Sequence, residues 1–405
     1  MPPLAKNRNF LVLTAGQWVS QVGNTLFTMA ASWAVLSLTG SRFDLGLVSA
    51  VSATAGAFAM VAGAVADRVD RRWALVVTDG VRAAVALLAA AGLLTGRLPF
   101  VAILGVVFVL GLGGALFGPA MMGLIPHLVP PEDLAAANGV NGSAPALASL
   151  VGSGLGGALL ALARPWALFA GDGVSFALSA GSLALLHLPR RPLAGRTGLG
   201  PGRWWDDIRA GQTFVWRHPL LRRIIPTAVV LNFCATGVGV LEVAWVRQVL
   251  HLGGGAYGLF GVAELLGLMA GSLGYAAVGR RLGRGIALYV AVDLAEGLGL
   301  AFLSRLPILV PDLILLGVMG VASGVINAAV ATDLQRDVPD ELRGRVVGTL
   351  FALATVAAPL GALAAGAAAS VASLPAVVLA IGALALAAGV PLLRPSPPDV
   401  AQAAG

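Results

Sequence analysis

Long apolar segments alternate with short charged loops along almost the whole chain. The first apolar segment runs from Phe10 to about Thr39, and segments of about twenty residues or more follow it. A segment of this length is long enough to cross the hydrocarbon core of a bilayer as a helix. The pattern predicts twelve spanning helices, at about 10–39, 43–66, 73–95, 100–124, 138–163, 165–188, 221–246, 256–279, 285–304, 308–333, 344–369 and 373–393.

A break in this pattern divides the spans into two sets of six. Residues 189–220 contain several arginines, a Gly/Pro stretch and the segment RWWDDIRAGQTFVWRH, whose tryptophans are typical of a helix at the headgroup level. The sequence therefore predicts an all-α membrane protein with two pseudo-symmetric six-helix bundles, residues 1–188 and 221–405. Residues 189–220 form the linker between them, with one interfacial helix.

Composition excludes several other classes of protein. The chain has 405 residues, of which 58% are hydrophobic and 11% charged, with a mean hydropathy of +0.89. A soluble protein carries about twice that share of charge. Lys6 is the only lysine, so the chain contains no Walker A phosphate loop, and Cys234 is the only cysteine. No metal-binding or catalytic motif is present, and we expect no enzymatic activity, cofactor or metal.

The net charge of +7 points to lipid rather than to nucleic acid, because the basic residues lie in short loops between spans. Arg82 lies inside a span, and twenty of the other lysines and arginines fall on the same side as the two termini. By the positive-inside rule both termini are cytoplasmic. The remaining five lie in loops on the opposite side, at Arg42, Arg97, Arg164, Arg247 and Arg305.

The loop between the second and third spans carries a dense charge motif. It has the form Gly63-x-x-x-Asp67-Arg68-x-x-Arg71-Arg72 and resembles the signature loop of the major facilitator superfamily between its second and third helices. Asp70 stands where that motif usually has glycine. The resemblance implies the major facilitator fold, with two six-helix halves that rock around a central cavity.

Two further loops narrow the resemblance. Val129-Pro130-Pro131-Glu132-Asp133-Leu134, followed by Ala-Asn, has a counterpart in the second half that ends in Arg343-Gly344-Arg345. This pair is similar to the third drug:proton antiporter family, which includes macrolide-efflux and siderophore-export relatives. Asn24 departs from that family, which often has an acid at this position. No charged residue occurs between Val101 and Met122, where other drug:proton families hold an arginine.

The resemblance implies a secondary transporter that exports amphipathic small molecules, of drug or antibiotic type, in exchange for protons. The alternative is a dedicated exporter or flippase of one metabolite, such as a siderophore or lysolipid. The implied location is the inner membrane of a prokaryote, and the expected form is a monomer. The implied gate joins the charged loop of the first half to the start of the eleventh span, through Gly63, Asp67, Arg68, Arg71, Arg72, Arg343, Gly344 and Arg345. Asp67 can alternatively do no more than balance the loop arginines.

A polar stripe runs along the first span. Gln17, Gln21 and Asn24 recur at helical spacing and face something other than lipid. One interpretation is hydrogen bonding between helices, and the other is the wall of a substrate cavity.

Ionisable residues inside spans are functional candidates because they are costly there. Asp79 and Arg82 lie three residues apart and are expected to neutralise each other. Burial disfavours the charged form of a carboxyl group, so an acid without a cation nearby can take up a proton. The alternative for each is a structural hydrogen bond between helices. The candidates for coupling or substrate binding are Asp172, Glu264, Asp293 and Glu296, together with Asn232 and Asn327.

Overall fold

The computed structural model describes residues 4–58, 70–162, 164–186, 209, 212–218, 221–278 and 286–393. Across these ranges the chain forms twelve long helices and no β-strand. The helices are α1 Arg8–Thr39, α2 Arg42–Ala57, α3 Arg71–Leu94, α4 Phe100–Leu124, α5 Leu134–Leu162, α6 Pro165–Ala184, α7 Leu221–Ala244, α8 Gly254–Val278, α9 Ile286–Leu303, α10 Leu309–Asp337, α11 Asp340–Val371 and α12 Leu374–Gly389.

Polar caps at the helix ends explain several of these boundaries. The Asn7 side chain accepts a hydrogen bond from the Phe10 amide at the start of α1, and Gly40 ends that helix in the left-handed conformation, with φ 66°. Ser41 caps α2 in the same way as Asn7 caps α1. Asp70 accepts from the amides of Arg72 and Trp73 and starts α3, which gives this departure from the usual glycine a structural role.

Ten of the helices within the described ranges are long and apolar enough to cross a membrane. Helices α1 and α2 are the other two, and α2 has only 16 described residues. The helix positions agree with the expected spans to within a few residues. Helices α5 and α11 each start four residues earlier than expected, at Leu134 after a 3₁₀ turn over Pro131–Asp133 and at Asp340. The expected end of the second span, at about residue 66, lies outside the described residues.

We call α1–α6 the first half and α7–α12 the second half. The terminal face is the end of the bundle where α1 begins and α12 ends, and the distal face is the end where α1 and α2 meet at Gly40. Within the first half, α6 packs on both α1 and α3, and within the second half α8 packs on α10 and α9 on α12.

Two helix pairs join the halves through close glycine contacts. Helix α2 packs on α11, where a Cβ added at Gly366 would lie 3.0 Å from the Cα of Gly46. Helix α5 packs on α8, where a Cβ added at Gly157 would lie 2.6 Å from the Cα of Gly258. Any larger residue would push these backbones apart. Gly157 belongs to a G-x-G-x-x-G sequence, which here lies inside a helix and serves helix packing.

Apolar packing is distributed unequally between the two faces. The largest buried cluster lies toward the distal face and draws on both halves, with Leu36 and Leu45 from one and Trp245 and Leu374 from the other. The clusters toward the terminal face each draw on one half alone. The halves are therefore packed together at the distal face. The expected linker 189–220 lies mostly outside the described residues, but the buried Val215 packs against the second half.

Candidate functional site

A cavity of about 270 Å³ lies between the halves. Helices α1, α2 and α4 of the first half and α7 and α8 of the second contribute to its wall. The lining combines hydroxyl groups with apolar and aromatic surface, which suits a ligand with both polar and apolar parts. The lining residues are Phe27, Thr28, Ala31, Ser32, Leu45, Val48, Ser49, Ser52, Val107, Thr236, Gly239, Val240 and Tyr257.

The polar stripe of α1 forms hydrogen bonds between helices, and the residues that continue it toward the distal face reach the cavity. Toward the terminal face, the Gln17 amide donates a hydrogen bond to the Ser179 hydroxyl of α6 at 3.0 Å. Asn24 accepts one from Arg82 of α3 at 2.8 Å. Toward the distal face, Thr28 and Ser32 continue the same stripe and line the cavity. Gln21 lies between these groups and is half-buried.

Arg42 links the two halves on the distal side of the cavity. Its Nε donates to the Gln248 Oε1 at 2.8 Å, and its Nη1 donates to the carbonyl oxygens of Ala369 at 2.9 Å and Ala372 at 3.3 Å. The last two carbonyls are at the C-terminal end of α11, where a cation is favoured by the helix dipole.

A second set of contacts lies beside Arg42. The Arg247 Nη1 donates to the Ser37 hydroxyl at 2.6 Å, and the Arg247 guanidinium lies 5.5 Å from the centre of the Trp33 ring. Trp33 also stacks on Tyr257 at 6.5 Å, and Tyr257 hydrogen-bonds Ser32. We call these contacts, with those of Arg42, the distal latch. The sequence marked both arginines only as loop charges, because nothing local shows which residues meet across two halves.

Helix α7 changes geometry where it supplies the latch. Residues Trp245–Val249 form a π-helical turn, and the buried Trp245 indole N–H donates to the Asp312 Oδ2 of α10 at 2.9 Å. This bond lies within the second half and holds the π-helical turn in place. The same turn carries Arg247 and Gln248, which contact the first half. Asp312 was not among the residues expected from the sequence, although its position in an apolar span was an available signal.

A buried polar network joins α1, α3 and α6 in the first half. The Arg82 Nη1 lies 3.3 Å from the Asp79 Oδ1, and the Asp79 Oδ2 accepts from the Ser179 hydroxyl at 2.6 Å. With the bonds to Gln17 and Asn24, the network contains donors and acceptors from three helices. The Arg82 guanidinium also lies 3.8 Å from the centre of the Phe176 ring. The pair lies about the middle of α3.

Asp172 belongs to the same network but is less well satisfied. Its side chain is fully buried, and Ser175 donates to its backbone oxygen at 2.7 Å and approaches its Oδ1 only at 3.5 Å. The second carboxyl oxygen of Asp172 and the Nε of Arg82 are both buried without a hydrogen-bond partner. The two residues are close enough to interact electrostatically.

The candidate acids of the second half lie on α8 and α9, and Glu242 of α7 lies close to one of them. Glu264 is exposed in the middle of α8 and interacts electrostatically with the half-buried Glu242 of α7. On α9, Glu296 accepts from the Ser323 hydroxyl of α10 at 2.6 Å. Asp293 is buried against Gly389 of α12, with one oxygen lacking a partner.

Two expected cavity residues are exposed on their helices. Asn232 lies one turn before the cavity residue Thr236 on α7, and Asn327 lies on α10. Both are nearer the terminal face than the cavity.

The expected gate falls largely outside the described residues. Gly63, Asp67 and Arg68 lie outside them. Arg71, Arg343 and Gly344 are described only as parts of their helices. Arg345 is exposed near the start of α11. Arg72 donates to the carbonyl oxygens of Leu183 and Ala184 at the C-terminal end of α6.

A sequence model for the Major Facilitator Superfamily matches residues 13–351. This chain belongs to the Major Facilitator Superfamily. The multidrug efflux pump Tap of Mycolicibacterium fortuitum is 29% identical over 391 residues, which cover 90% of this chain and 89% of that protein.

Solved structures of transporters share the fold of this major facilitator protein. A variant of the nucleoside transporter NupG superposes with a TM-score of 0.74 at 12% identity and covers 95% of this chain and 99% of its own. A bacterial homologue of the human lysosomal transporter Spinster, described as inward-facing and unoccupied, gives 0.69 at 15% identity, covering 95% and 94%.

The family and the helices together establish the general role of the chain. It is an integral membrane protein of the major facilitator fold that transports small molecules, and it is a transport protein rather than an enzyme. The sequence-based predictions of fold and superfamily are confirmed. Ion coupling, substrate class and the roles of individual residues stay predictions.

Proposed function

We propose that this transporter exports amphipathic, drug-like small molecules by alternating access, in exchange for protons. The observation that carries the proposal is the cavity between the halves, with its hydroxyl-bearing and aromatic wall. Tyr257 and Phe27 offer ring faces to an apolar or cationic ligand, and Ser32, Ser49 and Thr236 offer hydrogen bonds. The similarity to the multidrug efflux pump Tap supports the same class of substrate.

The acids near the cavity favour substrates that carry a positive charge. Glu264 is exposed on α8, the helix that also supplies Tyr257 to the cavity wall. Tyr257 interacts electrostatically with both Glu242 and Glu264, so all three groups lie close together. A ligand cation placed here would meet ring faces and carboxylates at once, and both attract it.

Protons are the proposed counter-ion because the same acids can be neutralised in two ways. A carboxylate within a membrane-spanning helix is stabilised by a proton or by a bound cation, because either one neutralises its charge. If a substrate cation and a proton compete for Glu264, inward proton movement can drive the substrate outward. Asp293 and Glu296, on α9, extend the set of acids that can take part.

The proposed membrane orientation places the terminal face in the cytoplasm. The excess of arginine at this face supports it. The distal latch then closes the outer side, and the structure corresponds to an inward-facing state. Epitope tags at Met1, Gly198 and Gly405 should all be cytoplasmic, and one extracellular tag among the three would contradict the proposed topology.

Transport can be tested with the purified protein in liposomes, using ethidium as a fluorescent cationic probe and an imposed pH gradient. We expect ethidium to accumulate against its gradient only when protons flow the other way, and Glu264→Gln to lose this accumulation. Glu132→Gln, which changes an exposed acid in the turn before α5, is the matched control and should behave as the wild type. Wild-type liposomes that show equal ethidium movement with and without the gradient would contradict proton coupling.

A further inference from the structure

The buried network of the first half contains one cation and two acids. Arg82 is the cation, and Asp79 and Asp172 are the acids. Gln17, Asn24 and Ser179 complete the contacts described above and carry no charge. Helix α4 also touches the network, where Gly113 lies against the aliphatic part of Arg82. If both acids were ionised, the group would carry a net negative charge.

The contacts show which acid is the ionised one. Asp79 has both carboxyl oxygens occupied, since Oδ1 faces Arg82 at 3.3 Å and Oδ2 accepts from Ser179 at 2.6 Å. Asp172 has one oxygen with no donor and another with a donor only at 3.5 Å, although its side chain is fully buried. A buried carboxylate needs strong donors, whereas a neutral carboxyl group does not.

The cage around Asp172 is also too tight to admit another group readily. A Cβ at Gly23 of α1 would lie 2.7 Å from the Asp172 Oδ1. The glycine at this position lets α1 approach the acid directly. A proton is small enough to occupy such a place, whereas a metal ion or substrate would have to move α1 away from α6.

We propose that Asp172 is a proton-binding site in the first half, occupied in the state seen here and emptied when Arg82 turns toward it. The unpartnered Nε of Arg82 and the unpartnered oxygen of Asp172 are a buried donor and a buried acceptor on neighbouring residues. When the proton leaves Asp172 as H⁺, the carboxylate that remains can accept from Arg82. The reaction is a simple deprotonation, and the O–H bond of Asp172 is the only covalent bond that breaks.

Arg82 connects this proton site to the cavity. Its Nη2 donates to Asn24, which lies one turn before the cavity residue Thr28 on α1. Movement of Arg82 toward Asp172 would break or shift the bond to Asn24. Proton release would therefore change the contacts of α1 next to the cavity. This step rests on the proposed function, since it assumes that proton movement drives transport.

The direct test is infrared spectroscopy of the purified transporter grown with carboxyl-¹³C aspartate. We expect the wild type to show absorption from protonated aspartic acid at neutral pH, shifted by the label. Asp172→Asn should reduce this absorption by the share of one carboxyl group, since other buried aspartates such as Asp293 can contribute to the remainder, and Asp133→Asn should leave it unchanged. Asp133 is a half-buried loop acid and serves as the matched control. A wild-type spectrum with no protonated aspartate would overturn the proposal, and so would absorption that stays at the wild-type intensity in Asp172→Asn. The first of these results does not depend on a variant that folds.

Transport gives a second readout. With a pH gradient of one unit, each coupled proton can raise ethidium accumulation about tenfold, so we expect Asp172→Asn to accumulate about tenfold less. Ethidium exchange without a gradient should continue in this variant. Full accumulation in Asp172→Asn would overturn the proposal. If the wild type lacks gradient-driven accumulation but shows the Asp172 band, the proton site stands and the proposed proton-driven export fails.

Discussion

The third and ninth helices carry acids at corresponding places, but the residue three positions later differs between them. Asp79 and Arg82 are three residues apart on α3, and Asp293 and Glu296 are three residues apart on α9. In the first half the second position is a cation that pairs with the acid, and in the second half it is another acid. One half has an internally balanced pair, whereas the other depends on hydrogen bonds, protons or a bound cation.

The surroundings of the two acids follow the same contrast. Asp79 has two partners, one on its own helix and one on α6. Asp293 is packed against Gly389 and has a buried oxygen with no partner. Because the two acids are similarly buried, the difference lies in their partners. We therefore expect Asp79 to stabilise the fold and the acids of the second half to be the ones that take part in transport.

The largest effect is expected from Arg82→Met, which removes the cation from the first half. Asp79 would stay buried without its charged partner, and breaking a buried pair in this way costs about 3–5 kcal/mol. Thermal unfolding in detergent should show a large loss of stability. Arg97→Met, in an exposed distal loop, is the control and should unfold like the wild type. Equal stability of the two variants would contradict the structural role of the pair.

Glu296→Gln tests the opposite half of the comparison. The amide can still accept from Ser323, so we expect folding to be retained, but it cannot bind a proton. One proton moving down a tenfold gradient supplies about 1.4 kcal/mol, so substrate accumulation should fall about tenfold if Glu296 carries it. Accumulation in liposomes and thermal unfolding, measured on the same preparation, check the two parts. If Glu264→Gln, Asp293→Asn and Glu296→Gln all accumulate ethidium normally, the driving proton binds elsewhere.

Arg42→Ala tests whether the second half is held to the first by the distal latch. It removes the bonds to Gln248 and the end of α11, which at a partly exposed site are together worth about 1 kcal/mol. We expect a shift toward opening at the distal face. A cysteine placed at the cavity residue Ser49, in a Cys234→Ser background, should then react faster with a reagent applied from that side. Arg305→Ala, another exposed distal arginine, should not change the rate.

The smallest effect is expected from Asp67→Asn, in the charged loop of the first half. The corresponding loop of the second half, Gly279 to Arg284, keeps arginines but has no acid. A carboxylate at a helix N-terminus gains about 0.3–1 kcal/mol, so its loss should shift the population modestly toward the inward-facing state. The same Ser49 cysteine should become less reactive from the distal side, the reverse of the Arg42→Ala result. Unchanged reactivity would mean that Asp67 only balances the neighbouring arginines.

Local sequence determined the secondary structure and the superfamily of this protein. Apolar length alone placed the spans, because a backbone in lipid must satisfy its hydrogen bonds within a helix. The charged loop Asp67 to Arg72 pointed to the superfamily, and the spacing of Asp79 and Arg82 indicated a pair. Each of these features depends on residues that are close together in the chain.

Contacts between distant helices were decided only by the tertiary structure. Arg42 and Ala369 are far apart in sequence, and only the packing of α2 on α11 brings them together. Asp172 had no visible relation to Arg82 until α6 packed on α3. The physical reason is that a buried charge is stabilised by the groups that face it, and helix packing decides which groups face each other. Glycines such as Gly23 and Gly157 contribute because they let two helix backbones approach closely.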